Sequence, residues 1–433
     1  MSFLKVLGFD PAKHNVKTEI VAGITTFLTM AYILAVNPDI FSALEDMGMP
    51  KGAVFTATAL AAIVGTLVMS IYAKKPYALA PGLGLNAFFV YTVCLTMGYS
   101  WQFALTAVLI EGIIFIILTV TNVREAIINA IPKSMKSAVS AGIGLFIAFI
   151  GLVNAGIIVD DGGTIINLGT ITSGPALLAI VGLVVTSVMM ILKVPGAMLI
   201  GIIVTAIIGI PFGITKFDGV VSAVPSVAPI FCKFEFHNIL TWDMIIVVFT
   251  FLFIDMFDTI GTVIGVSKKA NAMNPDGTIP GVKKVLMADA IATVWGAICG
   301  TSTTTTYVES ASGVAEGGRT GLTSFTVAIC FAIALFFAPV FLAIPSAATA
   351  PALILVGVMM MSSILDVDFN DFSECIPAYI CMIVMPLAYS ISDGIMLGMI
   401  SFVVLNALTG KFKKISVMMW ILAILFILRY ILL

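Results

Sequence analysis

Apolar runs long enough to cross a bilayer fill most of this 433-residue chain and leave it few ways to fold. Lipid offers no partner for backbone N–H and C=O groups, so a spanning segment must be a helix of about 20 apolar residues or a strand of a closed barrel. Helix-length runs occur near 20–40, 52–72, 101–120, 138–157, 174–192, 196–213, 243–266, 284–299, 321–344, 350–365, 374–390 and 391–409. Two shorter runs, about 83–97 and 308–318, follow the interruptions YALAPGLGLN and GTSTTTTY and read as half-helices entered through extended chain. The expected architecture is an all-α polytopic membrane protein of about 14 transmembrane elements, with a short strand before each half-helix. The apolar tail from Ser416 to Leu433 fits either a fifteenth span or a surface helix.

Composition closes off other classes. Charged residues are 10% of the chain, against about 25% in a soluble domain, which excludes a globular cytosolic enzyme. A formal net charge of -2 gives no attraction for nucleic acid. The six cysteines are scattered and mostly apolar in setting, and His14 and His237 lie in polar segments, so neither a metal site nor a cofactor is expected. The first twenty residues carry Lys5, Lys13 and Lys17 and lack a signal-peptide core, so insertion is expected to rely on the first span.

Loop charge sets the orientation. With 1–19 cytoplasmic, the same side holds Lys74, Lys75, Arg124, Lys133, Lys136, Lys193, Lys268, Lys269, Lys283, Lys284, Arg319, Lys411, Lys413 and Lys414. Together with the three N-terminal lysines these are 17 of the 21 basic residues, as the positive-inside rule requires of a multi-pass plasma-membrane protein. Seven spans before the Pro211–Trp242 loop reverse the direction in which the next seven begin. The expected division is therefore an inverted repeat, 20–242 and 243–433, the second half including the tail. In each half the third element is the interrupted one, and broken apolar segments at matching positions point to the central site of a transporter.

The polar segment Gly300–Gly321 contains six consecutive hydroxyl residues, Thr301 to Thr306, then Glu309, Ser310 and Ser312. Such polarity at membrane depth persists only when buried in protein or lining a water-filled cavity. Five carboxylates fall inside the spans drawn above: Glu111, Asp255, Asp258, Asp289 and Glu309. Facing lipid, each would cost about 2.5–3.5 kcal/mol or more, so they must face the interior, be protonated part of the time, or bond a ligand. Asp255, Asp258 and Thr262 are spaced i, i+3, i+7 and share one helical face. Glu309 stands where a half-helix begins, and Asn86 takes the mirrored place after PGLGL, where Gly82 and Gly84 permit close backbone approach. An intramembrane carboxylate is often only a tie between helices. That reading suits Glu111 and Asp289, each alone on its helix, and to a lesser degree Asp255; Asp258 and Glu309 are the preferred ligand-binding pair. Asn86 has the rival reading of an N-cap. The acidic group Asp366, Asp368, Asp371 and Glu374 reads as a solvated loop.

TEIVAGITTFLTMAYILAVNP (Thr18–Pro38), APGLGLNAFF (Ala80–Phe89), FIDMFDTIGTVIGV (Phe253–Val266) and GTSTTTTYVESASGVAEGGRTGLT (Gly300–Thr323) resemble the hypoxanthine/adenine/guanine permeases of the azaguanine-sensitivity type. These are a branch of the nucleobase–cation symporters. With YSISDGIMLG near the end, the resemblance runs from Thr18 to about Lys414. It implies the uracil-permease fold, a seven-plus-seven inverted repeat divided into core and gate, with short strands of the third and tenth helices meeting at the midplane. It further implies that Asp258 binds the base, that Glu309 binds the base and is tied to proton coupling, and that Asn86 is an important polar residue of the third helix. Thr262 stands where the uracil branch carries a histidine, which argues against importing uracil as cargo from that branch.

The expected activity is secondary active uptake of purine bases (hypoxanthine, guanine, adenine) with protons, through alternating access. Asp258, Glu309 and Asn86 would satisfy the polar edge of a purine, with Thr262 nearby and walls near Phe88, Phe89 and Tyr307 enclosing the ring. Asp258 and Glu309 are the expected proton carriers, with Asp255, Glu111 and Asp289 as secondary candidates. The alternatives are another nucleobase such as xanthine or uracil, sodium coupling, or an anion transporter of the same fold. The expected partners are the base, protons and bilayer lipid, with a homodimer left open and no nucleic acid.

Overall fold

The computed structural model describes residues 2–121, 131–217, 219–237, 239–274 and 279–432. Arg124, one of the basic residues counted above, lies outside them. The chain is helical nearly throughout, and the fourteen expected elements appear in order. In the first half they are α1 with α2 (Val16–Met30, Ile33–Phe41), α3 (Lys51–Val68), β1 with α4 (Leu79–Pro81, Leu83–Ala87), α5 (Trp101–Thr121), α6 (Lys133–Asn154), α7 (Gly174–Ile191) and α8 (Ala197–Gly209). A hairpin, β2 (Ile158–Asp161) and β3 (Ile165–Leu168), joins α6 to α7, and α4 continues as a wide π-helical segment, Phe88–Thr96. In the second half they are α9 (Trp242–Lys269), α10 (Val282–Cys299), β4 with α11 (Thr304–Thr306, Ser310–Ala315), α12 (Gly321–Ala334), α13 (Ser346–Met361), α14 (Phe372–Leu387) and α15 (Ile391–Leu408).

The helices sort into two packed groups. One contains α1–α5 and α9–α12; the other contains α6–α8 and α13–α15. Each group draws matching elements from both halves, as an inverted repeat divided into core and gate requires. Outward-facing positions are apolar, for example Val184, Ile207, Ile333 and Val358, each more than half exposed, because these side chains meet lipid rather than water. Inside each group small residues let backbones touch. A Cβ on Gly357 of α13 would lie 2.4 Å from the Gly144 carbonyl oxygen of α6.

Contacts bring the ends of the elements together on two opposite faces. The lysine-rich face holds the Lys133–Asp366 pair at 2.6 Å, Lys411 and Lys414 on Asp371, and Lys283 Nζ donating to the Val120 carbonyl. Asp366, Asp371 and Glu374 are thus paired with lysines rather than merely solvated. On the other face Trp101 Nε1 donates to the Met47 carbonyl at 2.8 Å, and Ser100 bonds Glu235. There, too, Asp39 at the end of the first span grips the start of α13. Its Oδ1 accepts from Ser346 Oγ at 2.7 Å, its Oδ2 from Thr349 Oγ1 at 2.6 Å, and Lys51 Nζ lies 3.6 Å away.

The tail, left open by the sequence, is α16 (Val417–Leu432). It starts just after the Lys411–Lys414 turn, and its far end reaches the start of α15, where Tyr430 Oη donates to Asp393 Oδ1 at 2.8 Å and Arg429 Nη1 lies 3.3 Å from the same oxygen. Helix α16 therefore runs antiparallel along α15, with Met419, Leu422, Ala423 and Phe426 buried and Ile421 and Ile424 facing outward. A second adjustment concerns the loop expected to begin at Ser267. Helix α9 continues to Lys269, and Ser267 is buried against Tyr77, hydroxyl to hydroxyl at 2.7 Å. The orientation is testable at exposed sites. Thr164→Cys in the β2–β3 hairpin should react with an impermeant thiol reagent added to intact cells, and Asn271→Cys should not, in a background freed of the exposed Cys232 and the other cysteines. Equal labelling of both would remove the two-sided arrangement.

Candidate functional site

The two interrupted elements meet in the interior. Strands β1 and β4 pair antiparallel, Leu79 opposite Thr306, Ala80 opposite Thr305 and Pro81 opposite Thr304. The pairing extends by one bond at each end, Gly82 N–H to the Thr303 carbonyl at 3.0 Å and Tyr307 N–H to the Ala78 carbonyl at 2.9 Å. A two-stranded ribbon leaves both outer edges unpaired, which a membrane interior does not tolerate. Side chains of neighbouring helices close them. Thr66 Oγ1 of α3 bonds both the N–H and the carbonyl of Leu79, Thr293 Oγ1 of α10 donates to the Thr304 carbonyl at 3.1 Å, and Thr306 N–H donates to Asp289 Oδ1 at 3.0 Å. The hydroxyl-rich sequence thus supplies the partners that an extended strand at this depth needs.

Several of the sequence candidates serve this ribbon from behind. Thr303 Oγ1 donates to Glu111 Oε2 at 2.6 Å. Thr259 Oγ1 contacts Asp255 Oδ1 at 3.1 Å, Asp289 Oδ2 at 2.9 Å and Thr305 Oγ1 at 2.7 Å, knitting α9 and α10 to β4. Ser302 bonds Asn86 Oδ1, and Asn86 is wholly buried inside α4 rather than capping it; Gly82 holds the N-cap position. Asn86 Nδ2 finds no hydrogen-bond partner among the described residues. Glu111, Asp255, Asp289 and Asn86 do not line the cavity described next.

A cavity of about 520 Å³ lies where the two helical groups face each other. From the core it is lined by Tyr32, the turn Gly82–Leu85, Ile254, Phe257, Asp258 and Thr262 of α9, and Thr306–Glu309. From the gate it is lined by Val139, Ser140 and Ile143 of α6 and by Val356, Met359 and Met360 of α13. Its lining continues to Ser362, Ser363 and Asp366 on the lysine-rich face. The structure thus brings Asp258, Thr262, Tyr307 and Glu309 together around one space. Asp255 departs from the single face expected of it. At about 100° per residue it stands 60° round from Asp258, far enough to turn toward α10. Phe88 and Phe89 are not walls of the cavity; they are fully buried and pack on Phe251 and Phe41, with Phe88 and Phe251 centroids 4.8 Å apart. The aromatic wall is Phe257 and the two tyrosines.

Glu309 stands at the start of α11, where free N–H groups favour a carboxylate or a ligand acceptor. Its Oε1 accepts from Tyr32 Oη at 2.7 Å. Tyr307 Oη is turned away to the Pro81 carbonyl at 2.6 Å. Helix α11 is seated on α1 with no spare room: a Cβ on Gly313 would stand 2.1 Å from Thr26 Oγ1 and 2.4 Å from the Ala22 carbonyl oxygen. The turn after it is held by Glu19, whose carboxylate accepts from the N–H groups of Arg319 and Thr320 and from Thr323 Oγ1. Sequence patterns alone do not single out Tyr32, Glu19 or Asp39. Glu19 and Asp39 sit close to either end of the span drawn at 20–40, where a carboxylate passes for a loop residue, yet they are only 1% and 4% exposed. A phenol in the middle of a mostly apolar span was the signal available for Tyr32.

The described residues lining the cavity include three carboxylates, Asp258, Glu309 and Asp366, and no Lys or Arg. A mostly apolar space of this size with a few convergent acceptors has the character of a small-molecule site. Fold and site together define a multi-pass permease of the cytoplasmic membrane, built as a seven-plus-seven inverted repeat. The transmembrane domain of the cyanobacterial bicarbonate transporter BicA has the same fold, with a TM-score of 0.65 at 16% identity over 89% of this chain and 97% of that one. The chain belongs to the family Xan_ur_permease, described as a permease family, whose model matches residues 17–397. It is 45% identical over 433 residues to the guanine/hypoxanthine permease PbuG of Bacillus subtilis, covering 98% of each protein. It is 40% identical to the adenine permease AdeQ of Escherichia coli, covering 96% of this chain and 94% of that one.

Proposed function

We propose that this permease imports purine bases together with protons by alternating access. The observation that carries the reading is the pair Asp258 and Glu309, half-buried and facing one cavity between core and gate. A neutral purine presents N–H donors along its edge, which carboxylate acceptors match, and the apolar surfaces of Ile254, Phe257 and Met359 suit its faces. The names of the relatives, purine permeases, support this class of cargo. In this reading Thr262 and Tyr307 complete the contact shell, Glu309 and Asp258 carry the proton, and Asn86 acts one layer behind through Ser302. Glu111, Asp255 and Asp289 hold the strand ribbon, and the two repeats divide at 242/243. An anion cargo, as in the bicarbonate transporter of like fold, is disfavoured because ionised carboxylates would repel it.

The test is uptake of labelled hypoxanthine into vesicles or whole cells, with unlabelled adenine, guanine, xanthine and uracil as competitors. Purines are expected to compete and uracil is not. Uptake should rise as external pH falls and collapse with a protonophore. Uptake that ignores the protonophore and requires sodium would replace the proton by sodium; competition by uracil alone would overturn the purine assignment.

A further inference from the structure

The polar groups of the cavity are shared unequally between its two walls. Asp258, Thr262 and Glu309 belong to the core. On the gate, Val139, Ile143, Val356, Met359 and Met360 are apolar, Ser362, Ser363 and Asp366 stand at the lysine-rich mouth, and Ser140 alone is polar between them. Most of the hydroxyls lining the cavity have their hydrogens committed. Tyr32 donates to Glu309, Tyr307 to the Pro81 carbonyl, Thr306 to Asp289, and Ser362 and Ser363 to carbonyls of their own helix. That leaves Thr262 on the carboxylate wall and Ser140 on the gate. A hydroxyl inside a helix commonly bonds the carbonyl four residues back, as Thr186 and Thr205 do on the gate helices α7 and α8 at 2.7 and 2.6 Å. Ser140, half-buried, makes no side-chain hydrogen bond among the described residues.

The position of Ser140 is fixed from behind. A Cβ on Gly142 would stand 2.6 Å from Met385 Sδ of α14, and one on Gly144 2.8 Å from the Gly357 carbonyl oxygen of α13, so α6 has no room to withdraw. One turn further along, Ile143 meets the core turn itself, its Cγ2 2.7 Å from where a Cβ on Gly84 would lie.

We propose that Ser140 is a specificity-determining residue that reads a nitrogen of the five-membered ring of a purine. The inference rests on the reading that Asp258 and Glu309 hold a purine by its six-membered ring. A flat base bonded to the core along one edge turns its opposite edge to the gate. In a purine that edge is the imidazole ring, with one N–H and one bare nitrogen, and burying it against aliphatic side chains alone forfeits the hydrogen bonds it made in water. A hydroxyl donates to the bare nitrogen or accepts from the N–H, so Ser140 serves either tautomer. Hypoxanthine, guanine and adenine differ on the six-membered ring and share the five-membered one. A contact there favours purines over pyrimidines without choosing among purines.

The experiment measures inhibition constants of hypoxanthine, 7-deazahypoxanthine and 9-deazahypoxanthine against labelled hypoxanthine uptake, in the parent and in Ser140→Ala. In the parent, the analogue with carbon at the contacted position is expected to bind about fivefold more weakly than hypoxanthine, the value of one neutral hydrogen bond. In Ser140→Ala, hypoxanthine and the other analogue should weaken by about the same factor while that analogue is unchanged, because the contact is already missing. A role for Ser140 in packing weakens all three in step; that result, or three unchanged constants, overturns the proposal and leaves the purine reading intact. Should Ser140→Ala fail to accumulate in the membrane, Ser140→Cys keeps the size with a weak donor and is expected to give the same pattern. A parent that takes up none of labelled hypoxanthine, guanine and adenine overturns the purine reading, and this proposal with it.

Discussion

Replacing Asp258 by Asn is expected to weaken hypoxanthine binding about ten- to a hundredfold while the protein still reaches the membrane at the parental level. The substitution keeps size and shape, and Asp258 faces the cavity rather than the strand ribbon, so folding has little reason to fail. What is lost is an ionised acceptor for a base N–H, worth about 1.5–3 kcal/mol where the site excludes water. Binding measured by competition in purified or vesicle-embedded protein checks this. Parental affinity in Asp258→Asn would show that the residue only ties helices together.

Glu309→Gln should have the larger effect on transport. A neutral base gains nothing from the membrane potential unless charge moves with it, and one charge is worth about 2.3 kcal/mol per 100 mV. In the proposed reading Glu309 gains and loses the coupled proton, which an amide cannot do. The variant should therefore lose accumulation against a gradient, a drop of at least about tenfold in steady-state uptake, while exchange of labelled for unlabelled base across the membrane persists. Loss of exchange and accumulation together, with normal protein levels, would assign Glu309 to binding alone; accumulation that survives would move the proton to another group.

The helices were legible because lipid makes hydropathy decisive. The two half-helices were legible because hydroxyls and prolines within an apolar stretch break the helix where its backbone needs side-chain partners. The meeting of the two strands was implied by the family resemblance rather than by the spacing, and the pairing of Leu79–Pro81 with Thr304–Thr306 agrees with it. The tail was not legible. Sixteen to eighteen apolar residues suit a surface helix as well as a short crossing, and the tail's packing along α15 is set by Arg429 and Tyr430 finding Asp393, a long-range pairing no local pattern announces. On α9 the spacing placed three polar residues on one side, but a stripe 60° wide spans the boundary between the cavity and α10, so Asp255 and Asp258 part company. Phe88 and Phe89 lie next to the half-helix in sequence, and the π-helical turn carries them into the core instead of the cavity. Tyr32 escaped notice because its partner, Glu309, is 277 residues away.

The seam between the two helical groups is unequal along its length. Beside the cavity the gate presents Val139, Ile143, Val356 and Met359, surfaces that slide past a partner without breaking a directional bond. At the other end of α13 the Asp39 carboxylate is clasped by Ser346 and Thr349. Parting that end breaks two charge-assisted bonds, at roughly 1.5–3 kcal/mol each before water replaces them. The seam is therefore latched at the Asp39 end and held by apolar contact beside the cavity, so any movement that parted the two groups at the Asp39 end would meet a resistance that the cavity end does not offer.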